Sequence, residues 1–167
     1  VSWKGTREEP AIDLRPLDKW PKIAKLEDEE LLKTLDSENF SDRQRAQEEI
    51  VRRGQKHIKA LTAILVDSDE RPLRARIAAL GALQSLGDYH SSRLRDPSPD
   101  IRRLTADAIG LLSKKGDGDA HELLASQIND EDHAARRAVY LAIGRINAPI
   151  AAETIVNGIQ FDRRDDD

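Results

Sequence analysis

Histidine and carboxylate side chains are the groups in this chain on which acid–base or metal chemistry would depend. The four histidines are His57, His90, His121 and His133, and none lies in a His-Glu-x-x-His motif or at another metal-ligand spacing. Cysteine is absent, which excludes thiol nucleophiles, disulfides, Cys-ligated metals and covalently attached haem within this chain. The sequence therefore predicts a non-enzymatic chain with no catalytic residue, no metal site and no cofactor.

Three short runs have the residue types of ion-binding or phosphate-binding loops. The run from Asp130 to His133 would attract a cation, but its place before a helical pattern favours a solvated turn. Asp165 to Asp167 is interpreted as a solvated end. Gly116 to Asp119 lacks the neighbouring residues of a phosphate loop, so we expect a turn between repeats.

Aspartate and arginine recur seven residues apart in four places. The pairs are Asp36 and Arg43, Asp67 and Arg74, Asp96 and Arg103, and Asp130 and Arg137, and successive aspartates are 31, 29 and 34 residues apart. Each aspartate lies in a predicted turn before a helix, where backbone N–H groups favour an anion. This spacing predicts a structural ladder in which each arginine binds the aspartate of its own or an adjacent repeat. A charged ligand track is the alternative.

The residues around these pairs follow a helical periodicity, in segments that come in twos. Apolar residues make up 38% of the chain, charged residues 35% and aromatics 4%, which favours helices over a β-sandwich or barrel. Small residues at Ala79–Gly81, Ala108–Gly110 and Ala142–Gly144 permit close packing of the second helices. A period of about 30 residues predicts an all-α fold, a right-handed α-solenoid of about four stacked helical hairpins.

The chain is predicted to divide into three parts. Residues 1–27, with three prolines, form an extended N-terminal connector that begins with a short strand at Val1–Lys4. Residues 28–161 form the repeat domain and residues 162–167 an acidic tail. The first helix of the third repeat, around Tyr89–Arg95, is poor in apolar residues. We expect a single turn or an irregular loop there, with a local kink or a docking notch.

A binding surface is predicted on the second helices. The 34-residue offset aligns Arg102 with Arg136 and Ala106 with Tyr140, so Arg102, Arg136 and Tyr140 share one stripe. The alternative is that these are ordinary exposed residues.

The net charge of −4, with both signs interspersed, opposes nucleic-acid binding, and no apolar run is long enough for membrane insertion. The predicted partner is a protein or a flanking domain, and the domain is expected to be monomeric. The ladder also predicts that Arg103→Ala destabilises the chain more than Arg102→Ala.

The stretches Asp96–Gly110 and Asp130–Gly144 resemble HEAT-type repeats, especially the short bacterial kind. The resemblance covers about residues 28–160 and implies a domain that binds a protein or spaces neighbouring modules. Two alternatives stay open: a module associated with an enzyme, similar to phycobilisome lyases, and a DNA-binding domain similar to HEAT-like DNA glycosylases. The scarcity of aromatic residues opposes both, and the net charge opposes the second.

A further resemblance is carried by Trp3–Gly5 and Leu31–Gly54. These segments look like the middle part of large multidomain proteins of planctomycetes and verrucomicrobia, which have a dehydrogenase-like β-propeller before the repeats and a c-type cytochrome domain after them. The chain begins with Val1, and we interpret it as a piece of a longer protein. The resemblance implies an exported or periplasmic spacer within an oxidoreductase. The residues alone leave the compartment open.

Overall fold

The described part of the chain is built from α-helices. A computed structural model describes residues 19–162, and the side chains of residues 21–159. The helices are α1 (Lys19–Ile23), α2 (Asp28–Thr34), α3 (Phe40–Arg53), α4 (Ile58–Val66), α5 (Leu73–Ser85), α6 (Pro99–Leu112), α7 (Gly118–Ala125), α8 (His133–Ile146) and α9 (Ala151–Asp162), with 3₁₀ turns at Gln55–His57 and Ser91–Arg95. Residues 19–162 contain no strand. The predicted all-α class is confirmed for them, and the strand predicted at Val1–Lys4 lies outside the described residues.

The helices form hairpins that stack in chain order. Helix α2 packs with α3, α4 with α5, and α7 with α8, while the 3₁₀ turn Ser91–Arg95 takes the place of a first helix before α6. Each second helix contacts the next one along the chain, from α3 to α5, α6 and α8. The most extensive of these contacts joins α6 and α8. This is the arrangement of an α-solenoid, in which each unit buries its apolar face against its neighbours.

Local signals in the sequence determine where the helices begin and end. Side chains of Asn39, Asp117 and Asp132 accept hydrogen bonds from first-turn backbone N–H groups of α3, α7 and α8. Those N–H groups have no partner within the helix. Helix α3 ends at Arg53, and the next residue, Gly54, has a φ of +88° that would strain any residue with a side chain.

Small residues bring the second helices together at one junction in particular. A Cβ on Gly110 would lie 2.7 Å from both Cα and Cβ of Ala142, so α6 and α8 touch at backbone distance. A Cβ on Gly81 would meet the side-chain amide of Gln47 on α3, at 2.8 Å from Nε2. A Cβ on Gly144 would meet nothing within 4 Å. The prediction that these glycines permit close packing is confirmed for Gly110 and Gly81 and is wrong for Gly144.

Two apolar clusters form the core, and they divide within α6. The first extends from α1 to the start of α6 and includes the fully buried Leu31, Ile50, Leu65, Leu83 and Ile101. The second extends from the 3₁₀ turn Ser91–Arg95 to α9 and includes the fully buried Ile109, Leu124 and Ile143. Each such side chain contributes about 1.5–3 kcal/mol on burial. Helix α6 therefore joins the two halves of the stack.

The predicted extended connector at residues 1–27 is wrong for its last part. Residues 19–23 form helix α1, which packs on α3 and buries Ile23. Pro21 is compatible with this helix because it lies in the first turn, where a backbone N–H has no intrahelical acceptor. Residues 1–18 lie outside the described residues. At the other end Asp162, the first residue of the tail predicted at 162–167, is the last residue of α9, and residues 163–167 lie outside the described residues.

The third repeat has a five-residue 3₁₀ turn, Ser91–Arg95, in place of its first helix. This agrees with the expectation of a single turn there. Leu94 is buried against the second cluster, and His90 Nε2 lies 2.9 Å from Thr62 Oγ1 on α4. A similar contact, 3.1 Å from His121 Nε2 to Thr154 Oγ1, links α7 to α9. Histidine–threonine contacts thus connect neighbouring first-helix elements along one side of the stack.

Candidate interaction site

A buried arginine connects the third hairpin to the fourth. The Arg102 guanidinium donates to both carboxylate oxygens of Asp130, from Nε to Oδ2 at 2.7 Å and from Nη2 to Oδ1 at 2.9 Å. Its Nη1 donates to the backbone carbonyl of Asp96 at 2.8 Å. The side chains of Arg102 and Asp130 are 9% and 4% exposed. This two-pronged, desolvated pair fixes the position of one hairpin on the next.

The aspartates of these junctions hold their own turns at the same time. Asp130 Oδ1 accepts the backbone N–H of Asp132 at 2.9 Å, and Asp96 Oδ1 accepts that of Ser98 at 3.0 Å. Burial by itself would raise the pKa of Asp130, but the hydrogen bonds from Arg102 and from the Asp132 backbone outweigh it and hold the pKa below its ordinary value. The hydrogen bond with Asp130 in turn raises the pKa of Arg102.

Arg76 on α5 has the same role at the preceding junction. Its Nη2 donates to Asp96 Oδ2 and its Nε to the carbonyl of Leu65 at 3.0 Å. The side chains of Arg76 and Asp96 are 5% and 0% exposed. We name the four residues Arg76, Asp96, Arg102 and Asp130 the buried ladder. Each of its arginines extends from one hairpin to the aspartate of the following hairpin.

The structure corrects the predicted pairing. All eight residues of the predicted pairs are described, and no hydrogen bond or ion pair joins the two members of any pair. Arg103 is partly exposed and lies 3.7 Å from Asp100, and Arg137 is exposed. The reason is geometric: adjacent residues on a helix point about 100° apart, so only one of Arg102 and Arg103 can face the junction. Arg102 shares its face with the buried Ala106 and Ile109.

A family model described as HEAT repeats matches residues 90–166. The match covers the 3₁₀ turn Ser91–Arg95, helices α6 to α8 and the described part of α9, and it supports a HEAT-like repeat domain. A search of curated proteins finds no significant relative. HEAT repeats generally serve as protein-interaction scaffolds, and the family is generally non-catalytic.

The junction between the first two hairpins, α2 with α3 and α4 with α5, is built differently. Arg74 lies 2.8 Å from Asp36 Oδ1 through Nη2 and donates from Nε to the Asp36 carbonyl at 2.9 Å. This pair is exposed, at 41% and 36% of the two side chains. Arg43 donates to the backbone carbonyls of Ser37 and Glu38 and lies 5.6 Å from the ring centroid of Phe40. Asp67 Oδ1 accepts the Glu70 backbone N–H at 3.0 Å.

The stripe predicted to bind a partner is also corrected. Arg102 belongs to the buried ladder and is 8% exposed as a residue. Arg136 is half-buried, donates through Nη1 to the Asp130 carbonyl and lies 2.6 Å from His133 Nδ1 through Nη2. The Tyr140 ring packs so close to Gly158 that a Cβ there would lie 2.9 Å from Cε1. Arg102 is therefore buried, and Arg136 and Tyr140 are partly buried and already engaged within the fold.

A different stripe of the second helices is open. On α6 it comprises Asp100, Arg103, Asp107 and Leu111, and on α8 it comprises Ala134, Arg137, Leu141 and Arg145; we name these eight residues the second-helix face. They recur at three- and four-residue steps, the spacing of one helix side. Leu111 is 57% and Leu141 48% exposed, and Arg145 Nη1 donates to Asp107 Oδ1 at 3.1 Å. Sequence reasoning assigned the adjacent arginines the wrong way round: Arg103 and Arg137 face outwards, and Arg102 faces the junction.

The histidines and carboxylates show packing roles. His57 is buried 3.6 Å from Asp28, and burial lowers its pKa. Hydrogen bonds from Lys56 and Arg53 favour the ionised carboxylate of Asp28 and lower its pKa to about 2. Within residues 21–159 no group of three or more His, Asp or Glu side chains is arranged to hold a metal ion. Within residues 19–162 no helix has the length and apolarity to cross a membrane.

Proposed function

We propose that this chain is a non-catalytic protein-interaction domain that binds its partner through the second-helix face. The observation that carries the proposal is the exposure of Leu111 and Leu141 on adjacent helices, beside the exposed Arg137. Leucine side chains supply apolar area, and arginine is among the residues favoured where proteins bind one another. The buried ladder and the Gly110–Ala142 contact hold α6 and α8 at a fixed spacing, so the face is preorganised.

The charge of this face favours a protein over a nucleic acid. Arg145 is paired with Asp107, and Arg103 has Asp100 nearby. Phosphate-backbone binding depends on several uncompensated cations. A gel shift on duplex DNA across a salt series is therefore expected to show no tight, salt-sensitive complex. Such a complex would favour the DNA-binding alternative instead.

The proposal is tested by changing the two exposed leucines. A Leu111→Ser, Leu141→Ser variant of the full chain is compared with wild type by quantitative pull-down from an extract of the source organism. Val66→Ser is the matched control, because Val66 is 41% exposed on first helix α4. We expect a reproducible protein partner to be lost only with the leucine variant. Unchanged recovery with that variant would contradict the proposed face.

We also propose that the domain acts as a spacer within a larger protein. This rests on the resemblance of Trp3–Gly5 and Leu31–Gly54 to the segment between a dehydrogenase-like propeller and a c-type cytochrome domain. The stacked hairpins supply the stiffness that such a spacer needs. Reading the genomic frame on either side of the coding segment tests this role. Flanking frames without a propeller or a haem-attachment motif would contradict it.

A further inference from the structure

A small cavity lies between the 3₁₀ turn Ser91–Arg95 and the C-terminal end of α7. Its volume is about 280 Å³. Leu94 and Leu123 form its apolar part, and Ser91, Ser92, Arg95 and Ser126 form most of its polar part. We name it the third-repeat notch. It is found where the 3₁₀ turn has five residues, whereas the first helices α2, α4 and α7 have 7, 9 and 8.

The polar groups of the notch favour a carboxylate ligand. No acidic side chain lines it. Arg95 is exposed, and it makes no hydrogen bond or ion pair with any residue from 21 to 159. Within the same range the hydroxyl groups of Ser91 and Ser92 are also unpaired, whereas Ser126 Oγ donates to the Leu123 carbonyl at 2.7 Å. One unpaired guanidinium and two unpaired hydroxyls thus remain as hydrogen-bond donors.

A second cavity shows what distinguishes the notch. The groove between α2 and α4 has a volume of about 320 Å³, and four charged residues line it. Its charges are satisfied internally, because Lys33 lies 2.7 Å from Glu29 and Arg71 lies 3.9 Å from Asp67. The notch has similar room but a cation with no internal partner. Charge complementarity therefore singles out the notch rather than the groove.

The size and floor of the notch limit what can occupy it. Cavities that enclose whole small molecules measure roughly 300–1,000 Å³, so this one accommodates one or two side chains. Leu94 is 3% and Leu123 38% exposed, which provides an apolar floor with an accessible rim. An aliphatic side chain fits the floor, and a neighbouring carboxylate would reach Arg95. A short peptide supplies both groups from adjacent residues.

We propose that the third-repeat notch binds a short acidic and aliphatic peptide segment of a protein partner, with an aliphatic side chain on Leu94 and Leu123 and a carboxylate on Arg95. This site goes beyond the proposed function, because none of its residues belongs to the second-helix face. The two surfaces can therefore succeed or fail independently.

The test uses the full chain and the fluorescein-labelled peptide Glu-Leu-Asp-Leu-Glu, with binding measured by fluorescence anisotropy at low salt. We expect Arg95→Glu to weaken binding at least about tenfold, and Ser92→Glu to weaken it by a similar factor, since each places an anion at the rim. Arg95→Lys should retain most of the affinity. Lys59→Glu is the matched control, because Lys59 is an exposed cation on α4 outside both the notch and the second-helix face, and it should leave binding unchanged. Circular dichroism verifies that each variant is folded.

Several outcomes would overturn the proposal. One is no binding by wild type up to millimolar peptide, and another is equal affinity for Arg95→Glu and wild type. Equal binding of Lys-Leu-Lys-Leu-Lys would show that the charge of the peptide is irrelevant. Displacement of the peptide by equimolar inorganic phosphate, or tight binding of anionic vesicles that Arg95→Glu abolishes, would indicate a general anion or lipid site. None of these results bears on the Leu111 and Leu141 experiment.

Discussion

At the two ends of the stack, adjacent hairpins are joined by different kinds of contact. Between the third and fourth hairpins, Arg102 and Asp130 meet in a buried, two-pronged pair, and α6 and α8 also touch at Gly110 and Ala142. Between the first and second hairpins, Arg74 and Asp36 meet at the surface, and Gly81 faces only a flexible glutamine side chain. The comparison teaches that recurring residue types do not ensure equal energetics. Burial determines which ion pair the fold depends on.

The largest expected effect tests that distinction directly. Arg102→Ala leaves Asp130 as a buried carboxylate without its cation, and loss of one partner from such a pair costs about 3–5 kcal/mol. Arg103→Ala removes a partly exposed side chain and should change stability by less than about 0.5 kcal/mol. Urea unfolding followed by circular dichroism measures both. This order reverses the one expected from the seven-residue spacing, and equal midpoints would contradict the buried ladder.

The second effect compares the two glycine contacts. Gly110→Ala introduces a Cβ 2.7 Å from backbone and side-chain atoms of Ala142, and overpacking of this kind costs about 1–3 kcal/mol. Gly81→Ala meets only the end of the Gln47 side chain, which is free to rotate away. The gain in helix propensity, up to about 1 kcal/mol, should then offset most of the cost. Thermal unfolding of both variants measures the two effects, and Gly110→Ala should have the lower melting temperature. A lower melting temperature for Gly81→Ala than for Gly110→Ala would show that the contact at Gly81 is the tighter one.

The third effect concerns pH. The pKa of Asp130 is lowered in the folded chain, so its contribution to stability is present above the unfolded pKa, near 4, and declines as pH falls toward the folded value. Wild type should therefore lose stability on acidification more steeply than Asp130→Asn, which is already less stable at neutral pH. Urea unfolding at a series of pH values from 7 to about 3 measures the two slopes. Parallel slopes would show that Asp130 does not contribute to acid sensitivity.

The smallest effect is expected at the exposed junction. Arg74→Ala should lower stability by only about 0–1 kcal/mol, because solvent screens a pair in which both side chains are more than a third exposed. The measurement is urea unfolding at low and high salt, with the variant converging on wild type as salt rises. A loss comparable to that of Arg102→Ala would show that the first junction is as important as the third.

Much of the fold could be predicted from apolar spacing. The hairpin order, the stop at Gly54 and the short first helix of the third repeat all follow from local signals that the structure retains. The positions of the two buried arginines did not follow from the seven-residue spacing. Arg76 and Arg102 are 26 residues apart, whereas Asp67 and Asp96, like Gly81 and Gly110, are 29 apart, so the buried arginine of α5 lies almost one helical turn later in the repeat than that of α6.

A local signal would have placed the buried arginines correctly. Arg102, Ala106 and Ile109 share one helix side, as do Arg76, Leu80 and Leu83, and all six are buried. An arginine that continues an apolar side at four- and seven-residue steps faces the core. Its neighbour in sequence, such as Arg103, then faces solvent. The seven-residue spacing between aspartate and arginine does not show which of two adjacent arginines faces the core.

The amino-acid sequence by itself determined that this chain forms stacked helical hairpins, because the apolar periodicity, the capping residues and the small residues act over a few turns of helix. Only the tertiary structure decided which aspartate each buried arginine binds, because those aspartates lie 20 and 28 residues further along the chain, in the following hairpin. A rotation of about 100° separates a buried from an exposed position on a helix, and which side stays open to a partner depends on how each hairpin packs against the next.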